Sequence, residues 1–288
     1  MSDQARKLRE LAGSVRREKP ELKGGAAVVL AVASGKGGVG KTNVVANLGY
    51  ALSRRGARVL ALDADFGLAN LDILLNLSPG KNLGHLLRGE ATAREILAEA
   101  APGFSVLPGA SGIMELAEMD SSERMRVVEG LAGLASEYDF VLIDTSAGIG
   151  RNVIDLCLAA RDVILVTDPQ PTSLTDAYGL AKILLGKLPE IEIGILVNSA
   201  ASAQEGRAVG VKLNSVLKRF VGRELAYLGH IQRDECVGRA TSRQEPFVAA
   251  FPRSKASQCV EELATLVGER KHGGGTGFWT RLAAGGGA

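Results

Sequence analysis

The sequence predicts an α/β domain built on a mainly parallel, twisted sheet with helices on both faces. Short apolar runs recur along the chain and are nearly continuous in Val, Ile and Leu, the composition of strands covered on both sides. Stretches of helical period separate most of them, which is the order of βαβ units. A glycine-rich segment joins the first apolar run to the first helical stretch.

At the N-terminus, Ala5, Leu8, Leu11, Ala12 and Val15 recur at helical spacing among Arg and Lys. Pro20 and the pair Gly24 and Gly25 end that helix, so residues 1–25 read as a short helix and linker. Strands are expected at Ala27–Ser34, Arg58–Asp65, Phe104–Pro108, Asp139–Thr145, Asp162–Asp168, Ile193–Asn198 and Leu225–Ile231. Helices between them include Thr42–Arg55, Ser121–Ser136, Thr172–Leu188 and Gly210–Phe220. No composition break interrupts residues 26–267, which read as one domain, and no internal repeat is visible. Residues 268–288 read as a glycine-rich tail carrying the short segment Phe278 to Ala283.

With 46% hydrophobic and 23% charged residues over 288 positions, the chain is too apolar for a disordered protein. A net charge of +2 does not call for neutralising many phosphates, so direct DNA binding is not expected, although Lys212, Lys218, Arg219 and Arg223 could form one basic helix face. Cys157, Cys236 and Cys259 stand far apart without a CxxC, which fits a reducing cytoplasm and argues against a disulfide framework or zinc site. Neither a secretory apolar segment nor a run of ~18 apolar residues is present.

Gly35, Gly40, Lys41 and Thr42 satisfy GxxxxGK[ST], placed between a strand and a helix as the motif requires. Backbone N–H groups of Gly35, Lys36, Gly37, Gly38, Val39 and Gly40 can then turn inward around phosphate oxygens at the positive end of the helix. Lys41 is expected to reach the β- and γ-phosphates and Thr42 to bind Mg²⁺. Carboxylates follow at strand ends, where an open α/β sheet binds its ligands: Asp63 and Asp65 after the second strand and Asp144 after the fourth. Asp144 is expected to bind Mg²⁺ through water, and Gly148 in DTSAGIG to offer its N–H to a γ-phosphate.

Lys36 makes the motif KGGVGKT, which resembles the deviant P-loop of the MinD and ParA family of ATPases, and the resemblance spans roughly residues 26–267. The likeness implies ATP and Mg²⁺ as cofactors and an ATP-bound homodimer in which Lys36 crosses to the partner's phosphates. It further implies that Asp65 positions the attacking water, Asp63 helps hold the magnesium water shell, and Asn198 reads the adenine edge. Gln232 stands where many relatives carry proline. Within the family, three stretches resemble the FlhG/FleN group of flagellar-number regulators: DQARKLR (Asp3 to Arg9), DTSAGIG, and TDPQPTSLTDAYGLAK (Thr167 to Lys182). For that group the N-terminal helix docks on an FlhF-type GTPase, which assigns GTPase activation to Asp3, Gln4, Leu8 and Arg9, with Gln4 the active element.

The same likeness implies that Phe278, Trp279 and Leu282 contact an anionic membrane surface. It places the protein in the bacterial cytoplasm, peripherally on the inner face of the cytoplasmic membrane and at a pole. Flagellar switch-complex proteins or a flagellar transcription regulator would be further partners. A positioning or DNA-segregation ATPase is the alternative, followed by an iron–sulfur carrier of the same fold, for which the three cysteines lack the paired spacing.

Overall fold

Every residue of Val28–Ser34 is buried, as in a strand with both sheet faces covered and both edges paired. This strand is β1 in a computed structural model that describes residues 27–65, 70–109, 121–270 and 277–283. Asp3, Gln4, Leu8 and Arg9 lie outside the described residues.

β1 sits between β5 (Phe140–Ala147) and β6 (Asp162–Thr167). The sheet continues through β2 (Val59–Ala64), β4 (Phe104–Leu107) and β3 (Ala98–Ala101) on one side, and through β7 (Glu192–Ala200) and β8 (Ala226–Gln232) on the other. All pairings are parallel except β3 with β4. The strand order diverges on the two sides of β1, so the crevice beyond its carboxyl end is where a ligand fits.

One face is covered by α4 (Ser121–Ala135), α5 (Arg151–Ala160), α6 (Pro171–Lys187) and α7 (Ala203–Val221). The other carries α1 (Lys41–Arg54), the short α2 (Leu71–Leu74), α8 (Glu235–Thr241), α9 (Phe247–Ala250) and α10 (Lys255–Gly268). A further short helix, α3 (Leu83–Leu87), follows β2.

Two elements depart from expectation. β3 reads AEAA and is half-exposed, so its strand character comes from pairing with β4 and not from its own residues. α7 starts at Ala203, ahead of the expected Gly210, because the Ser202 side chain accepts the Glu205 N–H and caps it. Gly206 and Gly210, which weaken the helical signal, are packing contacts: an added Cβ would lie 2.7 Å from His230 Cβ and 2.7 Å from Tyr227 Cδ2, respectively.

The short segment at the tail packs on the domain. Phe278 and Trp279 open α11 (Phe278–Ala283) and are only 0% and 4% exposed, packed with half-buried Leu282 in the core under α4 and α5. Their rings meet edge to face with centroids 4.9 Å apart. Arg281 Nε donates to the Ala159 carbonyl at 2.8 Å, and Arg270 pairs with Asp162 at the base of β6. An apolar face able to enter a lipid surface is equally able to fill a groove in its own domain, and here it does so.

Trp279 is the single tryptophan, so the seating of α11 can be read directly. Native emission is expected to lie to the blue of the unfolded protein's. Trp279→Ala should lower the unfolding free energy by about 3 kcal/mol in urea titration. A loss within about 0.5 kcal/mol, the range of a surface substitution, would contradict the seat.

Candidate functional site

The loop Gly35 to Thr42 leaves β1 and enters α1. Gly38 and Gly40 hold φ at 77° and 92°, the left-handed region that glycine occupies without strain, and Gly40 caps α1. Gly35 is fixed by packing: an added Cβ would sit 2.2 Å from the Asp176 carbonyl oxygen of α6. Val39 is buried below the loop, and Lys41, 7% exposed, begins the helix. Burial lowers the Lys41 pKa, while the charges of Asp144 and Asp65 act against that shift.

Parallel register sets the acids. Asp144 on β5 is level with Val32 on β1 and with Asp63 on β2. Burial, with Asp63 and Asp65 nearby, pushes the Asp144 carboxyl up to about 7; the Thr42 hydroxyl that hydrogen-bonds it and the Lys41 charge work against that rise. Its Oδ1 is buried with no hydrogen-bond partner among the described residues. An orphaned carboxylate oxygen beside a threonine hydroxyl and a lysine is a donor set that fits Mg²⁺, a hard cation that takes oxygen ligands.

Asp63, expected to help hold the magnesium water shell, is engaged by backbone N–H groups. Its Oδ1 accepts the Asp65 N–H, and its Oδ2 accepts those of Asn70 and Leu71, all at 3.1 Å. It holds Asp65, Asn70 and Leu71 at the end of β2, and its pKa is raised by burial. Asp65 is half-buried within electrostatic reach of Lys41 and Asp144.

Other expected ligand groups already have partners. The Gly148 N–H donates to the Ser34 carbonyl at 2.9 Å. Asn198 Nδ2 donates to the Val39 carbonyl at 2.7 Å, while Oδ1 accepts the Ser199 N–H at 2.8 Å. Lys36 Nζ donates to Gln170 Oε1 at 2.9 Å and Thr172 Oγ1 at 3.1 Å. Asp168 accepts the Gln170 N–H at 2.9 Å and so fixes that acceptor. Sequence reasoning missed Asp168 and Gln170, although Asp168 follows a strand end, the position that singled out the other acids.

Beside the loop lies a cavity of about 310 Å³, lined by Gly40, Asn43, Asn198, Gln232, Asp234 and Phe247 among others. Gln232 Nε2 donates to the Ala201 carbonyl, and Asp234 caps α8 through the Cys236 N–H and accepts the Lys255 N–H. These contacts tie the end of β8 to α8 and α10 around the cavity. Ile149, next to Gly148, is 53% exposed on the same rim of the sheet. Among the described residues there is no grouping of three or more His, Cys, Asp and Glu that could hold a metal, and no helix long and apolar enough to cross a membrane.

Residues 27–187 match the AAA domain family. The antiactivator FleN of Pseudomonas aeruginosa is 41% identical over 239 residues, covering 83% of this chain and 85% of that protein. The flagellum site-determining protein YlxH of Helicobacter pylori is 36% identical, covering 83% and 81%. Among solved structures, the septum site-determining protein MinD complexed with Mg-ADP from Pyrococcus horikoshii OT3 matches with a TM-score of 0.68 at 28% identity, covering 84% and 96%.

Asp144 makes stability depend on pH. In the fold it holds its proton up to about pH 7, whereas unfolded it ionises near pH 4. The folded state binds more protons across that window, so metal-free stability falls as pH rises from about 4 to about 7, by at most on the order of 4 kcal/mol. Urea unfolding without Mg²⁺ at a series of pH values should show this decline, and Asp144→Asn should flatten it. An equal slope in the variant would contradict the assignment.

Proposed function

The chain belongs to the FlhG/FleN branch of the MinD-like P-loop ATPases, and on that premise we propose that it is an ATP-driven, dimerising switch that regulates the number and placement of flagella. The observation that carries the dimer is Lys36. The loop holds a second lysine besides buried Lys41, half-exposed at its mouth and held by two neutral side chains that it can exchange for phosphate oxygens.

ATP occupies the loop with Lys41 on its β- and γ-phosphates and its base in the cavity near Asn198 and Gln232. Thr42 and Asp144 hold Mg²⁺, which supplies charge neutralisation at the phosphates. Asp65 orients the attacking water, and hydrolysis depends on positioning and charge more than on proton transfer. The Gly148 N–H exchanges Ser34 for the γ-phosphate. Lys36 leaves Gln170 and Thr172 and crosses to the partner's nucleotide, so ATP favours the dimer by the contacts made only there.

Outputs follow from the ends of the chain. Asp3, Gln4, Leu8 and Arg9 engage an FlhF-type GTPase, with Gln4 orienting its water. The antiactivator name of the Pseudomonas relative supports a flagellar transcription regulator as a partner; the site-determining name of the Helicobacter relative supports a role in flagellar placement, which switch-complex proteins would serve. Peripheral attachment to the inner face of the cytoplasmic membrane, at a pole, requires α11 to leave its groove so that Phe278, Trp279 and Leu282 can enter an anionic lipid surface.

Light scattering should find Asp65→Ala dimeric with Mg-ATP and monomeric with Mg-ADP, and Lys36→Ala monomeric with both. An Asp65→Ala protein that stays monomeric with bound ATP would end the dimer reading. Gln4→Ala should abolish stimulation of the partner GTPase while leaving ATP-dependent dimerisation intact; undiminished stimulation would remove Gln4 from that role.

A further inference from the structure

Tyr227 has no part in the nucleotide chemistry, yet its hydroxyl is buried without a hydrogen-bond partner among the described residues, an arrangement that is costly unless something completes it. Tyr227 stands on β8, the outer strand of the sheet. There the register slips: Ile195 pairs with Tyr227 and Leu196 with Gly229, which leaves Leu228 as an extra residue. Such a bulge re-aims side chains. Leu228 packs towards Gly194, 2.5 Å from where a Cβ would be, while Tyr227 lies along α7 with its hydroxyl 2.9 Å from the equivalent point on Gly206.

Between α7 and α10 this leaves a notch of about 280 Å³ at the sheet edge. Leu228, Leu263 and Leu266 form an apolar wall, and Leu266 is 47% exposed. Arg207 stands on the α7 side, close enough for its charge to act on the Tyr227 hydroxyl, and it makes no hydrogen bond or ion pair with any described residue. Burial raises the Tyr227 pKa, so the phenol keeps a proton to donate. His230 and Cys259, with Nε2 and Sγ 3.9 Å apart, line the notch, and Glu262 also lines it from α10.

We propose that this notch binds a small monocarboxylate with a short apolar tail, its carboxylate accepting from the Tyr227 hydroxyl and the Arg207 guanidinium and its tail lying on Leu228, Leu263 and Leu266. The hydroxyl and the guanidinium, both without a partner among the described residues, line one notch, and a carboxylate is an acceptor that suits both. Glu262 disfavours a dianion such as inorganic phosphate. At about 280 Å³, nearly twice the ~150 Å³ that admits benzene, the notch has room for a carboxylate on a chain of about six carbons. The site is separate from the nucleotide loop, but β8 also supplies Gln232 to the base cavity, so both sites rest on one strand.

Sodium hexanoate titrated calorimetrically into the full-length, nucleotide-free protein tests this. Saturable 1:1 binding is expected with a Kd on the order of 1 mM. Arg207→Gln, which removes an exposed, unpartnered charge without disturbing the fold, and Tyr227→Phe, which keeps the ring, should each weaken binding about tenfold or more. Hexylammonium and inorganic phosphate should not bind the notch. Lack of saturation, affinity in both variants equal to that of the wild type, or equal binding of hexylammonium would overturn the proposal. So would direct competition for one site, read as loss of hexanoate binding in a parallel titration with Mg-ADP present.

Discussion

A carboxylate that is 1% exposed at the end of a central strand sets the terms for everything around it. Asp144 cannot ionise comfortably in that position, so the groups that can relieve it, Lys41 and the Thr42 hydroxyl, are the first residues of α1. That fixes where α1 begins and obliges the preceding loop to turn through left-handed glycine geometry at Gly38 and Gly40. The parallel register puts Asp63 alongside, and two carboxylates so placed repel each other. Asp63 is accommodated by turning its oxygens onto three backbone N–H groups, which ties Asp65, Asn70 and Leu71 to the end of β2.

Several of the groups expected to meet a nucleotide already have internal partners. Lys36, Asn198 and Gly148 each have an internal partner at good hydrogen-bond distance. A ligand therefore exchanges hydrogen bonds, and each exchange nets about 1 kcal/mol or less unless charge is involved. Charge is what ATP adds: a lysine moving from an amide and a hydroxyl to a phosphate gains a charge-assisted bond.

Much of this was legible in the residues. Continuous apolar runs marked the parallel strands because full burial leaves no alternation to hide, and GKGGVGKT declared its loop because phosphate binding demands those glycines at those spacings. β3 was not legible: AEAA acquires its structure from β4. The early start of α7 was hidden because Gly206 and Gly210 serve packing against His230 and Tyr227, which pattern reasoning counts against a helix. Phe278 and Trp279 marked an amphipathic segment, but only the groove under α4 and α5 shows where its apolar face rests. Gln170 and Asp168 carry no motif of their own and gain meaning from the distance to Lys36.

The high proton affinity of Asp144 gives metal entry a counterflow. A cation that binds this oxygen must expel the proton the carboxyl holds near neutrality, so loading the site is an ion exchange and releases acid to the solvent. Proton and cation thus compete for one oxygen, and lowering the pH below about 7 favours the proton.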